Sequence, residues 1–390
     1  MLACTDPAIG TVDEIILTRE PEQSPGQPAS YQDSSDNYDI TISDTIDPRL
    51  LFLSFIGPSF SMDLDRNDTD GEYLPGSTLG RPDPGNSDEE LRARVSLLQV
   101  GLRQVATVDS HIQSFLATES SAAFFTVSNF RECIEVFFQR EQLLATIIHK
   151  PTFRPDQADP SLLLAIAVSG SAYIHYRQGN NAGPASFVLT LREIAEKYIF
   201  HRVEQLLGST TSADAQQSLE LCQAAYIIET LQSCVKNAKI RQRLITKCHP
   251  MLVDLLRDLD IIRTRHEPDQ DWTMFVRKES RIRLAHWAFI NDGWFTLFSN
   301  HPPAMTFFDM TGHLPCRDEL WNADRAASFE SLRSQEDFSS SLPCPKFLIS
   351  ALLGDEWTEG TVALFQHLDI KHFLVIIFGE FSVLSCSIKK

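Results

Sequence analysis

The 390-residue sequence predicts an all-α protein, in which a multi-helix body follows a disordered acidic leader. Apolar residues recur at helical spacing after about residue 88, strand-like alternating runs are scarce, and acids and prolines are concentrated before that point. We therefore divide the chain into a leader at 1–87, a connecting helix and linker at 88–127, and a helical domain at 128–390.

The leader is acidic and rich in proline. Residues 1–90 contain four arginines, no lysine and 19 Asp or Glu, and so carry −15 of the formal net charge of −18. They also hold nine of the 20 prolines and show no sustained helical period, which is typical of disordered segments. The rest of the chain is nearly neutral. This argues against a stand-alone nucleic-acid-binding protein, because no cationic excess is available to displace counterions from phosphates.

An apolar island at residues 50–62 interrupts the leader, and aspartates flank it on both sides. Two interpretations stay open. The island packs back onto the body, or it is an activation-type segment whose acids keep the apolar side chains solvated until the groove of a partner accepts them. In the second case Leu51, Phe52 and Phe55 would bind the partner.

The first helices of the body are predicted from their N-terminal residues. Ser87 precedes three acids suited to a first helical turn, and an apolar series follows from about residue 88. A second helix is predicted to begin with Ser128 as N-cap. It should end before Pro151, because the residue before a proline avoids the α region.

Later helices follow from caps, prolines and apolar runs. Asp159-Pro160 combine an N-cap with a proline at the first helical position, and the run that follows is apolar on all sides, as in a buried helix. Gly170 with its serine neighbours supplies small residues for close helix packing. Further helices are predicted at about 186–207, 213–236, 238–260 with a break at Pro250, and 271–299.

The cysteines and the apolar runs bear on the environment of the protein. The eight cysteines are scattered without a CxxC pair, and the amino terminus lacks the features of a secretory signal, so we expect reduced thiols. The apolar runs, such as Phe373 to Phe378, are far shorter than the roughly 20 residues that cross a bilayer. We expect no membrane partner.

No sequence motif for nucleophilic, phosphate-binding or metal chemistry is present. An intracellular all-α enzyme stays open as an alternative, and a helical scaffold protein as a second one. The candidate residues of the enzyme are Cys248, His249, His286 and Asp292. Cys248 and His249 point about 100° apart on a helix, so they do not readily bind one ion. Glu279, Arg281 and Arg283 are interpreted as an ion-pair network on a helix surface.

Several short motifs follow one another in a fixed order between about residues 128 and 325. Their residues are His149, Pro151, Phe153, Trp272, Glu279, Arg281, Arg283, Asp292, Pro302, Pro303, Leu314, Pro315, Cys316 and Trp321. In this order they resemble the "HxPTF", "W…ES.RR", "PP", "LPC" and "LW" segments of the fungal-specific transcription factor domain. That domain is the middle homology region of fungal zinc-finger and zinc-cluster transcription factors.

The resemblance implies a nuclear regulator of transcription by RNA polymerase II that is not an enzyme. Its helical domain would contact co-regulators or paralogous transcription factors, form homo- or heterodimers, and respond to a small effector. In the family a zinc-binding DNA-recognition module normally precedes this domain. Cys4 is the only cysteine before Cys133, so we expect no zinc cofactor in this chain, and contact with DNA only indirectly or through a module that it lacks.

Overall fold

The computed structural model describes residues 84–107, 109–140, 146–178, 185–209, 214–235, 237–268, 270–335, 343–354, 357–366 and 368–388. In these ranges every regular element is helical, which confirms the all-α prediction. The α-helices are α1 (Pro84–Ala106), α2 (Ser110–Leu116), α3 (Glu119–Phe124), α4 (Val127–Arg140), α5 (Pro160–Gln178), α6 (Ala185–Leu207), α7 (Ala215–Ser233), α8 (Ala238–Arg243), α9 (His249–Asp258), α10 (Trp272–Ser299), α11 (Asp318–Trp321), α12 (Ala326–Gln335), α13 (Pro345–Leu352), α14 (Glu359–Phe365) and α15 (Ile370–Ile388). The leader, with Cys4 and the island residues Leu51, Phe52 and Phe55, lies outside the described residues.

Two helices begin where the sequence predicts, and each has an aspartate as its N-cap. The Asp159 carboxylate accepts the Ser161 amide at 2.8 Å, and Pro160 is the first residue of α5. Asp271 likewise accepts the Met274 amide at 2.8 Å at the start of α10. Each carboxylate satisfies an amide that has no partner within the helix.

The predicted starts of the first two helices were two to four residues too late. Helix α1 already begins at Pro84, so Ser87 lies inside it. Helix α4 begins at Val127, and the hydroxyl that accepts the Asn129 amide (3.3 Å) belongs to Thr126, not to Ser128. A cap accepts from the amide three residues later, and Thr126 has that offset here.

The break predicted at Pro250 is present as a change of helix type. Residues Leu244–Cys248 form a π-helical turn between α8 and α9, and Pro250 lies in the first turn of α9. A proline has no amide proton and its ring crowds the carbonyl four residues earlier, here that of Thr246.

Helix α5 lies at the centre of the main core. It packs mainly against α4 and α7, and its Leu162–Val168 run is buried on all sides. At Gly170 the backbones of α4 and α5 nearly touch, since a Cβ atom there would lie 2.0 Å from the Cys133 carbonyl oxygen. The small residue predicted to allow close packing does so against α4.

A smaller apolar cluster surrounds the start of α10. Its buried members are Phe275, Val276, Cys316, Leu320, Trp321, Ala323 and Phe329. It joins α10 to α11 and α12 and forms the surroundings of the polar groups described next. None of the described helices is long and apolar enough to cross a membrane.

Candidate functional site

The motif residues from three distant segments meet around His149. Its ring lies 4.7 Å from the Trp321 ring and 5.9 Å from the Trp272 ring, between centroids. Its Nδ1 forms a 2.9 Å hydrogen bond with the Thr152 hydroxyl, in a one-turn 3₁₀ helix at Lys150–Thr152. Burial lowers the pKa of His149 to about 4, so the ring is neutral at physiological pH.

The neighbouring acid and base of α10 do form the predicted ion pair. The pair is buried, so its predicted location on a helix surface was wrong. Glu279 is 0 % exposed and Arg283 is 2 % exposed. Nε of Arg283 donates to Oε1 of Glu279 at 2.7 Å, and its guanidinium carbon lies 4.7 Å from the Trp321 ring centroid. The segment around Cys316 covers this face of α10: Arg283 donates to its carbonyl at 2.9 Å.

The other predicted member of that network, Arg281, points elsewhere. Its Nη2 lies 3.4 Å from the carbonyl oxygen of Leu259, and the side chain is half-buried. Residues two apart on a helix face in different directions, so Arg281 does not join Glu279.

Glu279 accepts three different donors. Besides Arg283, the Cys316 amide donates to Oε1 at 2.9 Å, and Oε2 lies 2.8 Å from Nε2 of His266. Burial alone would raise the pKa of Glu279, but the charge of Arg283 and the bond to His266 outweigh it and lower the pKa to about 2. The carboxylate is therefore ionised, and it holds the Cys316 segment against α10.

The network continues to the C-terminal helix α15. Nη1 of Arg283 also donates to Asp318 at 3.2 Å, and Asp318 pairs with Lys371 of α15. Nε2 of His372, also on α15, lies 2.9 Å from the carbonyl oxygen of Pro315. The Pro315–Cys316 motif is thereby bonded to α10 on one side and to α15 on the other.

Asp292 is the centre of a second buried network. The His249 ring lies between two carboxylates, with Nδ1 2.9 Å from Oε1 of Glu229 and Nε2 3.0 Å from Oδ1 of Asp292. The two Asp292 oxygens also accept the amides of Ala304 and Met305, each at 2.9 Å. Asp292 thus fixes the chain directly after the Pro302-Pro303 motif onto α10.

The remaining motif residues are packing elements. The Phe153 ring lies 5.2 Å from that of Phe138, and Leu314 is fully buried in the main core. Pro151 is in the first turn of the short 3₁₀ helix, and Pro302 and Pro303 follow the end of α10. Cys316 contributes its backbone to the Glu279–Arg283 pair, while burial raises the pKa of its thiol.

The residues of the alternative enzyme hypothesis do not assemble into a reaction centre. His249 and Asp292 touch, but Cys248 Sγ points to Oε1 of Glu196 at 3.7 Å, and His286 Nδ1 bonds to the Ile282 carbonyl at 2.7 Å. All four of these candidates are buried. Burial and the charge of Glu196 raise the pKa of Cys248, so its thiol is not ionised to the reactive thiolate. Burial lowers the pKa of His286 to about 4, so its ring is not protonated at neutral pH.

Sequence reasoning missed several members of these networks. They are Glu229, His266, Asp318, Lys371 and His372. One of them could have been found from the sequence, because Glu229 directly follows the apolar residues Ile227 and Ile228 of α7. A charge there predicts a buried partner. Among the residues in the described ranges, no group of three or more His, Cys, Asp or Glu is arranged to hold a metal ion.

Comparison with known proteins identifies relatives. Residues 134–380, more than half of the chain, match the family model of the fungal specific transcription factor domain. The transcription factor verF of Penicillium polonicum is 24 % identical over 249 residues, which cover 56 % of this chain and 34 % of that protein. Zinc finger protein zas1 of Schizosaccharomyces pombe is 23 % identical over 236 residues, 56 % of this chain and 25 % of that protein.

A third relative, the nicotinate catabolism cluster-specific transcription factor of Emericella nidulans, is 22 % identical over 311 residues, 77 % of this chain and 33 % of that protein. The chain thus spans a quarter to a third of the length of the curated relatives it matches. No solved structure matches it. The ordered motifs, the helical body that buries them and the matched range agree, and the chain belongs to the fungal specific transcription factor domain family.

Proposed function

We propose that this chain regulates transcription by RNA polymerase II in the nucleus, through protein–protein contacts and not through catalysis. The family match and the relatives named as transcription factors support a transcription regulator. They do not favour the two alternatives, an all-α enzyme and a helical scaffold.

The observation that carries the proposal is the burial of the motif residues. Glu279, Arg283 and His149 come from segments far apart in the chain, and all three side chains are closed to solvent. A reaction centre gathers titratable groups where a substrate reaches them. A sealed cluster held by ion pairs, hydrogen bonds and ring contacts instead rigidifies the helices around it and fixes one arrangement of the body.

The partners in this proposal are transcription co-regulators or paralogous transcription factors, including homo- or heterodimers. Contact with DNA is then indirect or depends on a separate module. The concentration of negative charge before residue 91 supports this assignment, since an anionic segment repels the phosphate backbone and leaves cationic or apolar protein grooves as its targets.

The proposal is tested by fusing the whole chain to a heterologous DNA-binding module upstream of a reporter gene. We expect reporter output to differ from that of the module alone in at least one growth condition. The control is the same fusion carrying Arg283→Met, in which the buried Glu279 loses its partner and the body is destabilised. Equal output from all three fusions, with equal protein levels, contradicts the proposal.

A further inference from the structure

A cleft of about 300 Å³ lies outside the motif clusters, between α1 and α6. One face of α1 forms its first wall, and the second wall is formed by Tyr198 and Arg202 of α6 with Asp159 and Pro160 at the start of α5. This volume is at the lower end of the range of small-molecule sites in proteins, roughly 300–1,000 Å³. It suits a small organic molecule and is too small for a folded partner segment.

Gly101 lets the two walls come close together. A Cβ atom there would lie 2.7 Å from the Tyr198 hydroxyl oxygen and 3.0 Å from its ring. A glycine within a helix costs about 1 kcal/mol relative to alanine, so its position is explained by the tyrosine ring that occupies the space of a side chain. Gly101 and Tyr198 both line the cleft.

The two arginines of the cleft differ in their hydrogen bonds. Arg202 is engaged with Asp159 through both terminal nitrogens (2.5 and 3.1 Å) and donates to Ser161. Arg94 makes one hydrogen bond within the described residues, from Nε to the Asp156 carbonyl oxygen at 2.8 Å. Its two terminal nitrogens, which together match the geometry of a carboxylate, have no protein acceptor there.

The acids near the cleft accept their hydrogen bonds from donors other than Arg94. Asp159 is paired with Arg202, and Glu220 accepts the Asp159 amide at 2.6 Å and the Gln216 side-chain amide at 2.8 Å. Burial raises the pKa of Glu220. The charge of Arg94 attracts Glu220 and opposes part of this rise. Neither acid, however, accepts a hydrogen bond from the terminal nitrogens of Arg94 in the described residues, so these donors face the cleft without a protein acceptor.

The wall beside Arg94 is apolar and open. Leu97 and Val100 are 51 % and 47 % exposed, although both belong to a helix whose opposite side is fully buried. Leu97 is three residues after Arg94, so the two side chains are neighbours on α1. A ligand that bonds to Arg94 by an anionic group would cover Leu97 and Val100 with an apolar body.

We propose that this cleft binds a small carboxylate with an apolar or aromatic body, with Arg94 holding the carboxylate and Leu97 and Val100 covering the body. The role of this cleft as the effector site of a regulator rests on the proposed function. The binding itself does not, and it is measured on purified protein without any reporter.

The test is a calorimetric titration of the full chain with benzoate and phenylacetate, each compared with its neutral amide, benzamide or phenylacetamide. We expect saturable binding of at least one acid, and roughly tenfold or more weaker binding of its amide, because a charged hydrogen-bonded contact is lost. The Arg94→Gln variant should bind the acid more weakly by a similar factor and should bind the amide as tightly as the unmodified chain does. The Leu97→Ser variant should bind both the acid and the amide more weakly, because each loses an apolar contact.

Arg92→Gln is the matched control, since Arg92 lies on the same helix but is exposed and does not line the cleft. Circular dichroism and the melting temperature establish that each variant is folded. The proposal is overturned when neither acid binds saturably, or when a folded Arg94→Gln variant binds the acid as well as the unmodified chain does. Failure of the reporter fusion with intact acid binding would overturn the regulatory proposal alone.

Discussion

The guanidinium of Arg283 donates to the carboxylate of Glu279 across one turn of α10, at 2.7 Å, with both side chains sealed from solvent. Removing two charges from water is costly, and the pair is maintained by further donors and acceptors from the Cys316 segment. The pair therefore bonds α10 to a segment more than 30 residues away in the chain.

Replacing Arg283 by methionine should strongly destabilise the protein. The variant leaves the Glu279 carboxylate buried without its cationic partner, and breaking such a pair costs about 3–5 kcal/mol. Chemical denaturation of the unmodified chain and the variant measures the difference in free energy of unfolding.

The matched control for that variant is Arg325→Met. Arg325 lies 3.6 Å from Asp324 in a pair whose side chains are 74 % and 66 % exposed. Exposed pairs contribute about 0–1 kcal/mol, because water and salt screen them. A similar loss of stability in both variants would show that burial of the Glu279–Arg283 pair has no energetic consequence.

Helix starts were easier to predict from the sequence than the burial of charged side chains. Asp159 and Asp271 mark helix starts because capping depends on residues only two or three positions away. Glu279 and Arg283 have the four-residue spacing of an ordinary surface pair. Their burial depends on the Cys316 segment, whose position is set by the tertiary fold and leaves no trace in local spacing.

The same limit applies to the second network. Cys248 and His249 are adjacent in sequence, and helical geometry correctly separates their directions. The apolar surroundings of Glu229 indicate that it needs a partner, but they do not indicate which one. His249 and Asp292 come from two other helices, so their contact with it is visible only in the structure. The ordered motifs gave the family because they are residue patterns, whereas the contacts among them required the structure.

Gly170→Ala should destabilise the body through the crossing of α4 and α5. The new Cβ atom would lie 2.0 Å from the Cys133 carbonyl oxygen, and backbone cannot move away as a flexible side chain does. Gly360→Ala is the control, because a Cβ atom there has its nearest neighbour at 3.7 Å. That variant should stabilise α14 by up to about 1 kcal/mol. Thermal denaturation measures both, and a stabilised Gly170→Ala variant would contradict the close crossing.

Alkylation of the native protein by iodoacetamide should distinguish the cysteines by burial. Cys248, Cys222 and Cys133 are buried, and burial raises the pKa of each, so their reactive thiolates are scarce. Cys344 is half-buried and should react first among the four. Peptide mass spectrometry after a short exposure measures the order. Rapid labelling of Cys248 in the folded chain would revive the enzyme alternative.

Replacing Leu51, Phe52 and Phe55 by alanine should reduce recruitment of a partner and change the melting temperature little. Apolar side chains flanked by acids bind grooves of partner proteins, and this island lies within the acidic leader. Affinity purification from nuclear extract with quantitative mass spectrometry measures recruitment. A large drop in melting temperature would instead assign these three side chains to the core of the body.

The stability of the protein should depend on pH because of His249. Burial alone would lower the pKa of its ring, but the charge of Glu229 and the hydrogen bonds to Asp292 and Glu229 outweigh it and raise the pKa from 6.5 to about 10. The folded chain therefore holds a proton on His249 that the unfolded chain releases near pH 6.5.

The folded state binds this proton more tightly than the unfolded state does, and this difference stabilises the folded state. The contribution is complete below the pKa of His249 in the unfolded chain and declines as the pH rises towards its pKa in the folded chain. Between about pH 6.5 and 10 the unmodified chain should lose up to about 1.4 kcal/mol of unfolding free energy per pH unit from this group. His249→Gln should remove that slope, whereas His111→Gln, at an exposed position of α2, should retain it. Urea denaturation at several pH values measures the three slopes. Identical slopes for the unmodified chain and His249→Gln would show that the ring is neutral between its two carboxylates, contrary to the charge assigned here.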